Sequence, residues 1–532
     1  MVPSVSATST SRASPMWFNP VDMIARRRAN QREDTDDELQ VWIQQYVQQK
    51  VPDYQMAAWL MAVCFHPLSP RETATLTRCY AESGIILDWP EEVATNDGLL
   101  ITRKPRPPMV DKHSSGGVGD KVSLILAPLV AACDDLLPVW VPMMAGRGLG
   151  HTGGTIDKLE SLVGYNPRQS VENFQKIVQD VGCAIICATR EICPADQRLY
   201  ALRDVTSTVS SLPLQTASIM SKKIAEHPDS ITLDVKFGHG SFNPSIEEAE
   251  RLAKAMVAVG EANGLHPTTA FLTDMNFPLG YAVGNWLEVK ECIEILKGNV
   301  ADRRFKLSWD LIILVVIQAG QMLYQSQYHR IGTTNESGGS SSISAPGEPS
   351  RLLYSLDRCT KHAYQVLDSG RVLEKFRQMM LAQGADPSYL EQAIEEPNSI
   401  ALASFVSTWT FEGTAGYIHD VPAKTIGDIS VTIGAGRIVA NQVVDAQAGL
   451  VFFKQVGDAV TAGDIIVSVY TNQSQEQADN ALKAVQEAIV IQAEDLPNPR
   501  GPIITHKITQ QNGTQSFSVP EWLQQHHSHA TQ

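Results

Sequence analysis

Three short segments of the chain concentrate residue types that bind anions and stabilise charge. The first runs Asp111-Lys112-His113-Ser114-Ser115-Gly116-Gly117-Val118-Gly119-Asp120-Lys121-Val122-Ser123. An anion needs backbone N–H groups that converge on it, and glycine permits this because no side chain blocks the approach. It also needs hydroxyl donors and a cation, and this stretch supplies both. The helix-like run Ser123–Ala132 follows, so its N-terminus can add a favourable dipole. An ordinary glycine-rich turn is the plainer reading, but the density of donors favours phosphate. The pattern GxxxxGK[ST] is absent, which argues against an ATP-binding loop.

The second segment is Gly146-Arg147-Gly148-Leu149-Gly150-His151-Thr152-Gly153-Gly154-Thr155-Ile156-Asp157-Lys158-Leu159-Glu160. Gly148, Gly150 and Gly153 satisfy GxGxxG, and the apolar stretch Val139–Met144 precedes them, as in a dinucleotide-binding turn. An NAD-dependent oxidoreductase is therefore a rival reading. Against it, no convincing ribose-binding acid follows about twenty residues on, at the end of a second strand. The third segment holds Arg203-Asp204 and then Ser218-Ile219-Met220-Ser221-Lys222-Lys223. Ser218 and Lys222 are four apart and share one face of a helix. Solvated surface charge is the competing explanation there.

These segments need elements to hold them. Apolar residues recur at helical spacing through residues 17–90, for example Leu39, Trp42 and Tyr46. The stretch Ala94–Pro108 reads as a turn-rich connector and a candidate hinge. Beyond it, Gly182–Ala188, Ser230–Phe237 and Thr268–Leu272 read as buried strands. They alternate with helices at Val171–Val181 and Ile246–Gly260, which predicts an α/β domain with a mostly parallel sheet. Leu311–Leu323, interrupted by Gln318 and Gln321, reads as a buried helix rather than a membrane span. Residues 331–350 are Gly/Ser/Pro-rich and read as a surface loop. Val421–Gly434 and Gly449–Tyr470 read as short strands with glycine turns. The Asp445–Gly449 turn carries no lysine, which disfavours a lipoyl- or biotin-carrier role.

The 532 residues suggest about three domains at roughly 100–200 residues each. The net charge of −15 disfavours nucleic acid as a partner. The eight cysteines show no CxxC pair or zinc spacing, so reduced core thiols in a cytosolic protein are expected. The Ser/Thr-rich first sixteen residues read as a disordered tail, with a transit peptide as the alternative.

Taken together, GRGLGHTGGTIDKLE at 146–160, DKHSSGGVGDKVS at 111–123 and TASIMSKK at 216–223 resemble the thymidine and pyrimidine-nucleoside phosphorylase family. DVKFG at 234–238 and TDMNFPLGYAVGN at 273–285 are similar to it as well. The resemblance spans about residues 17–470. It implies an α/β multidomain protein with three parts. An all-α domain from two chain segments, 17–93 and 195–226, would hold the pyrimidine. A large α/β domain, 100–194 and 227–400, would hold phosphate. A small, β-rich C-terminal α/β domain would occupy 402–519, with disordered tails at 1–16 and 520–532. The family works as homodimers with domain closure, and uses no metal and no covalent intermediate; the family resemblance implies no cofactor beyond inorganic phosphate as co-substrate.

Carried over position by position, Lys112, Ser114, Ser123 and Thr155 resemble phosphate ligands, helped by the backbone from Ser115 to Gly117. Arg203, Ser218 and Lys222 resemble pyrimidine ligands. His113 would lie beside the O2 side of the ring. The catalytic set implied is His113, Arg203 and Lys222. The activity implied is reversible phosphorolysis of thymidine or deoxyuridine, in the cytoplasm, with neither nucleic acid nor membrane as partner. Met143 resembles the thymidine-preferring members, where broader relatives tend to carry lysine. Ala145 departs from the family's usual serine, a phosphate ligand. That departure leaves an inactive paralogue as an alternative, and a broad pyrimidine-nucleoside phosphorylase remains the alternative to the thymidine preference.

Overall fold

A computed structural model of the chain describes residues 18–96, 101–148, 150–189, 191–333, 352–437, 442–495 and 500–531. The expected N-terminal tail, residues 1–16, and nearly all of the expected 331–350 loop lie outside them. The chain divides into two compact units, residues 1–86 with 190–225, and residues 87–189 with 226–532.

The first unit is all helix. Pro20–Arg28, Asp36–Val47, Asp53–Phe65 and Pro70–Ala81 come from the N-terminal stretch, and Pro194–Val205 and Leu212–Glu226 from the second. Local sequence fixes the starts. Thr35 with Glu38, and Ser69 with Glu72, form reciprocal capping boxes that satisfy orphan N–H groups. Pro20, Pro70 and Pro194 open their helices where a missing N–H is harmless. Trp42, Tyr46, Trp59, Leu60 and Tyr80 pack in one core with Leu199, Leu214 and Ala217. Each large apolar side chain buried there contributes about 1.5–3 kcal/mol, and the shared core joins two stretches that are distant in sequence.

The second unit begins with a hairpin, β1 (Glu92–Asn96) and β2 (Ile101–Pro105), paired antiparallel. This corrects the expectation of an irregular connector. Asn96-Asp97-Gly98 is a hairpin signal, and the neighbouring prolines obscured it. The strands β3 (Val110–Ser114), β4 (Val141–Met144), β5 (Cys183–Ile186), β6 (Ser230–Phe237) and β7 (Thr268–Asp274) follow. β3, β6 and β7 run parallel, with Lys112 beside Thr232, Ser114 beside Asp234, and Lys236 beside Thr273. β4 and β5 form a second parallel pair, and a bridge between Met109 and Trp140 connects it to the β3 side. Helix Ile246–Ala262 packs on β6 and β7, and helix Trp309–Thr333 packs on β3 and β6.

Helix Trp309–Thr333 is long and apolar enough to cross a bilayer, but protein encloses it, with Leu311, Leu314, Val315 and Leu323 fully buried. Two of its glutamines, Gln321 within the apolar run and Gln325 just beyond it, face the sheet. Gln325 accepts from the Thr232 hydroxyl (2.6 Å), and Gln321 donates to the Thr269 hydroxyl (3.3 Å).

The C-terminal part contributes β9 (Phe405–Thr410), β10 (Gly416–Asp420), β11 (Gly449–Phe452), β12 (Ala459–Val460), β13 (Ile465–Thr471) and β14 (Val490–Gln492). The short strand β8 (Ala282–Val283), which follows β7 in the chain, pairs with β11. Residues Ala423–Thr432 form a helix, where strands were expected over Val421–Gly434. Ile426, Ile429 and Ile433 lie three and four apart and enter one core with Leu450, Val467 and Val469, so helical spacing overrides the β-branched composition.

Within the span read as the C-terminal domain, the hairpin Ile504–Thr509 and Gly513–Ser516 joins the main sheet, antiparallel to β7. The tail after Pro520, expected to be disordered, forms the helix Glu521–Thr531. Leu523 is buried, and the Trp522 indole donates to Asp357 (3.1 Å). Two apolar anchors outweigh the polar, His-rich composition that suggested disorder.

Candidate functional site

Strand alternation puts Lys112 and Ser114 of β3 on one face, together with Asp234 and Lys236 of the neighbouring β6. Their side chains meet. Lys236 donates to both Asp234 oxygens (3.0 and 2.9 Å) and lies 3.8 Å from Asp120. The Thr273 hydroxyl donates to Asp234 (2.6 Å). Lys112 sits 3.4 Å from Asp234 and 3.5 Å from the Ser123 hydroxyl. From the second glycine segment, Lys158 reaches the Asp120 carbonyl and pairs with Glu288 (2.8 Å).

Burial alone would raise the Asp120 carboxyl, but Lys236 foremost, then Lys112 and Lys158, hold it well below the ordinary carboxylate range. Burial likewise opposes ionisation of Asp234, and Lys236 and Lys112 win there too. Lys236, which burial would neutralise, is raised by Asp120 and Asp234. The cluster is thus a lattice of ionised groups closed to solvent.

The loop after β3 is built around it. The Ser114 hydroxyl donates to Asp120 and accepts from the Gly116 amide (3.1 Å). Ser115 accepts from the Lys236 amide (2.8 Å), and its own amide donates to the Asp234 carbonyl (3.0 Å). Both hydroxyls therefore shape the loop. Gly119 has φ of +73°, and a side chain there would meet the Leu279 backbone at 2.7 Å, so this position requires glycine. Ser123 lies in the first turn of helix Val122–Ala131, where the Val122 amide donates to Asp120 (3.3 Å) and the Leu124 amide to the Lys121 carbonyl (3.1 Å).

The second segment is pinned by Asp157. Its carboxylate accepts from the Gly148 amide (2.7 Å) and pairs with Arg437 (2.6 Å) and Arg147 (3.1 Å). Thr155 opens the short helix Thr155–Leu159. Gly148 and Gly154 cross so closely that a side chain on Gly154 would lie 2.0 Å from the Gly148 nitrogen. Val118 and Gly119 of the first loop line one pocket with Gly150 to Gly153 of the second. The GxGxxG spacing thus serves a self-crossing loop.

His113 lies on β3 beside Leu233. Met143 is fully buried on β4. Ala145 is partly exposed at the end of that strand, its amide bonded to the Ile186 carbonyl (2.8 Å).

The third set lies in the first unit. Arg203 is buried and donates to the carbonyls of Val209 (2.7 Å), Leu214 (3.0 Å) and Thr208 (3.4 Å). A guanidinium has five N–H donors, so two remain. Lys222 donates to Asp196 and to the Ser218 carbonyl one turn back (2.7 Å). Ser218 is buried on the same helix. Neither cation is an ordinary solvated surface charge.

Asp120, Asp234, Lys236, Lys158 and Asp196 received no role from the sequence. For two of them a signal existed: Asp234 and Lys236 stand two apart in an otherwise uncharged strand, which puts two charges on one buried face. Asp196 meets Lys222 only through tertiary structure.

Comparisons with known proteins cover most of the chain. Residues 21–84 match the glycosyl transferase family, helical bundle domain, and residues 106–338 match the glycosyl transferase family, a/b domain. Residues 417–492 match the pyrimidine nucleoside phosphorylase C-terminal domain. The pyrimidine-nucleoside phosphorylase of Bacillus subtilis is 38% identical over 474 residues, which cover 89% of this chain and 96% of that protein. The proteins of the same name from Staphylococcus haemolyticus (37%; 92% and 99% covered) and Geobacillus stearothermophilus (36%; 90% and 98% covered) are similar throughout.

Proposed function

Because the chain belongs to the pyrimidine-nucleoside phosphorylase family, a family of pentosyltransferases, we propose that it phosphorolyses thymidine, reversibly, to thymine and 2-deoxy-α-D-ribose 1-phosphate. The observation that carries the phosphate half is the state of Lys112. Lys236, Lys158 and Lys121 are all held by carboxylates at 2.6–2.9 Å. Among the described residues Lys112 has only contacts of 3.4 Å, to Asp234, and 3.5 Å, to the Ser123 hydroxyl. It is the least committed cation of the cluster, and an incoming phosphate would take its N–H donors.

In this reading Lys112, Ser114, Ser123 and Thr155, with the backbone around Ser115, hold phosphate. A phosphate oxygen forms a bond to C1′ as the C1′–N1 bond breaks, and the electron pair leaves with the pyrimidine. Arg203, with two N–H groups in reserve, and Lys222 stabilise the negative charge growing on the ring, together with Ser218, and that differential stabilisation raises the rate. His113 donates to O2 as the ring departs. The chemistry uses no metal or cofactor and requires phosphate and base, held by different units, to meet by a closing movement. The exposed apolar side chains Tyr54, Met61 and Phe65 on one helix support a homodimer. The eight free cysteines, six of them buried, support a cytosolic setting.

Met143 offers no hydrogen bond to a ribose 2′-OH, which supports preference for deoxynucleosides. The names of the relatives support the broader alternative, turnover of uridine as well. Release of thymine from thymidine and of uracil from uridine, with and without phosphate, tests both. Phosphate-dependent release with thymidine at least about tenfold ahead in kcat/KM, the scale of one lost hydrogen bond, supports the thymidine reading. Equal turnover removes it, and no phosphate-dependent release from either removes phosphorolysis.

A further inference from the structure

Four lysines of the second unit are fully buried, and each has a carboxylate: Lys112 and Lys236 share Asp234, Lys121 has Glu291, and Lys158 has Glu288. Lys507 departs from this pattern. It lies on the strand Ile504–Thr509, beside Phe271 of β7, and is half-buried. Its ammonium donates to the side-chain oxygen of Gln321 (2.8 Å), a neutral amide. Burial is the sole influence on its titration, pushing it down to about 8, and no charged group among the described residues offsets it. An ammonium withdrawn from water without a counter-ion is costly.

The cost has a visible remedy. Lys507 lines a cavity of about 440 Å³ together with Tyr324, Leu352, Tyr354, Ser355 and Leu356. That volume suits a small ligand, since such pockets run from about 300 to 1,000 Å³. The wall opposite the sheet is fixed: the Tyr354 amide donates to Gln327 (2.8 Å), and Gln327 donates back to the Tyr354 carbonyl (3.0 Å). The lining thus combines two phenol rings, two leucines and one cation without a counter-ion. Lys507 and Leu352–Leu356 fall outside the three ranges that match the family, and none of the residues assigned to phosphate or pyrimidine lines this cavity.

We propose that this cavity binds a small aromatic monocarboxylate, its carboxylate paired with Lys507 and its ring against Tyr324, Tyr354, Leu352 and Leu356. The anion supplies the missing counter-charge, and the apolar walls select a flat body over a hydrated inorganic ion.

The probe is benzoate, with the uncharged isostere benzamide as control, titrated calorimetrically into the full-length chain. A charge-assisted hydrogen bond should make benzamide about 10- to 100-fold weaker than benzoate. Lys507→Met should weaken benzoate by a similar factor, and Lys507→Arg should keep it within a few-fold. Lys507→Met should also unfold at the same or a higher denaturant concentration, because it removes an uncompensated buried cation; Lys507→Gln serves as the uncharged variant if Met does not fold. Equal affinity for benzoate and benzamide, undiminished binding by the uncharged variants, or no benzoate binding up to about 10 mM (roughly −2.7 kcal/mol) would each overturn the proposal.

Discussion

The two units hold the cations assigned to substrates in different ways. In the larger one, Lys112, Lys158 and Lys236 are sealed from solvent and neutralised by Asp120, Asp234 and Glu288. In the smaller one, Arg203 rests on three backbone carbonyls, and Lys222, 36% exposed, has the single carboxylate of Asp196. The proposed ligands account for the difference. Phosphate arrives charged, so its site must stay folded with several ammoniums packed together while empty, and buried carboxylates make that possible. A pyrimidine is neutral until the glycosidic bond breaks. Its cations need only be oriented, and carbonyl dipoles with the one carboxylate of Asp196 suffice.

The largest effect should come from breaking the sealed lattice. Asp234→Asn leaves Lys112 and Lys236 facing a neutral amide, and removal of one partner from a buried pair costs about 3–5 kcal/mol. Urea unfolding reads the loss directly; a change under about 1 kcal/mol, the scale of an exposed pair, would mean that the lattice does not hold the fold. Acid has the corresponding sign. Asp120 and Asp234 are held below their ordinary value of about 3.9, so their contribution is complete above that pH and falls away as pH drops through the depressed folded values. Stability should therefore not change through these two groups between about pH 5 and 8.

Next come the two cations assigned to substrates. Lys112→Ala and Lys222→Ala should each lower activity about 100- to 1,000-fold, the scale of removing one preorganised charge donor. The two losses should differ in kind. Lys112→Ala should raise the KM for phosphate with the nucleoside KM little changed, and Lys222→Ala should act mainly on kcat with thymidine. If both variants show the same pattern, the division of labour between the units is wrong. Asp196→Asn sharpens the point with a smaller effect. Lys222 keeps its charge but loses its guide, so a loss of about tenfold in kcat/KM is expected, with stability altered by no more than about 1 kcal/mol because the lysine is partly exposed. A loss as deep as that of Lys222→Ala would make Asp196 a participant rather than a positioning residue.

The two regions also differed in how much their sequence disclosed. The phosphate loops were legible because glycines, hydroxyls and lysines are clustered along the chain, and because a backbone that crosses itself, as at Gly148 and Gly154, leaves glycine no substitute. The carboxylates that hold the lattice were not, since Asp120 and Asp234 are brought together only by the parallel pairing of β3 with β6. On the other side, Arg203 and Lys222 were indistinguishable from surface charge by spacing alone. Arg203 finds its carbonyls in the turn and helix start that follow it, at Thr208, Val209 and Leu214, and Lys222 meets Asp196 of the preceding helix, contacts that the spacing along one helix does not show. Secondary structure failed where composition and spacing disagreed: the isoleucine-rich Ala423–Thr432 is a helix, and the polar tail is anchored by Trp522 and Leu523.

The smallest predicted effect concerns the one position where this chain departs from its resemblance. Ala145 follows β4, its amide held by the Ile186 carbonyl. The residue is partly exposed, so Ala145→Ser should need little repacking. If Ala145 faces the phosphate, the added donor should tighten phosphate by about 0.5–1.5 kcal/mol, the net worth of one hydrogen bond, and lower its KM up to roughly tenfold. The nucleoside KM and the unfolding midpoint should not move. A drop in the KM for phosphate alone would place this strand end in the phosphate half of the comparison and explain the departure as a tuned affinity. An unchanged KM would mean that the lysine lattice, with Ser123, already sets phosphate binding, and that position 145 contributes nothing to the difference between the two units.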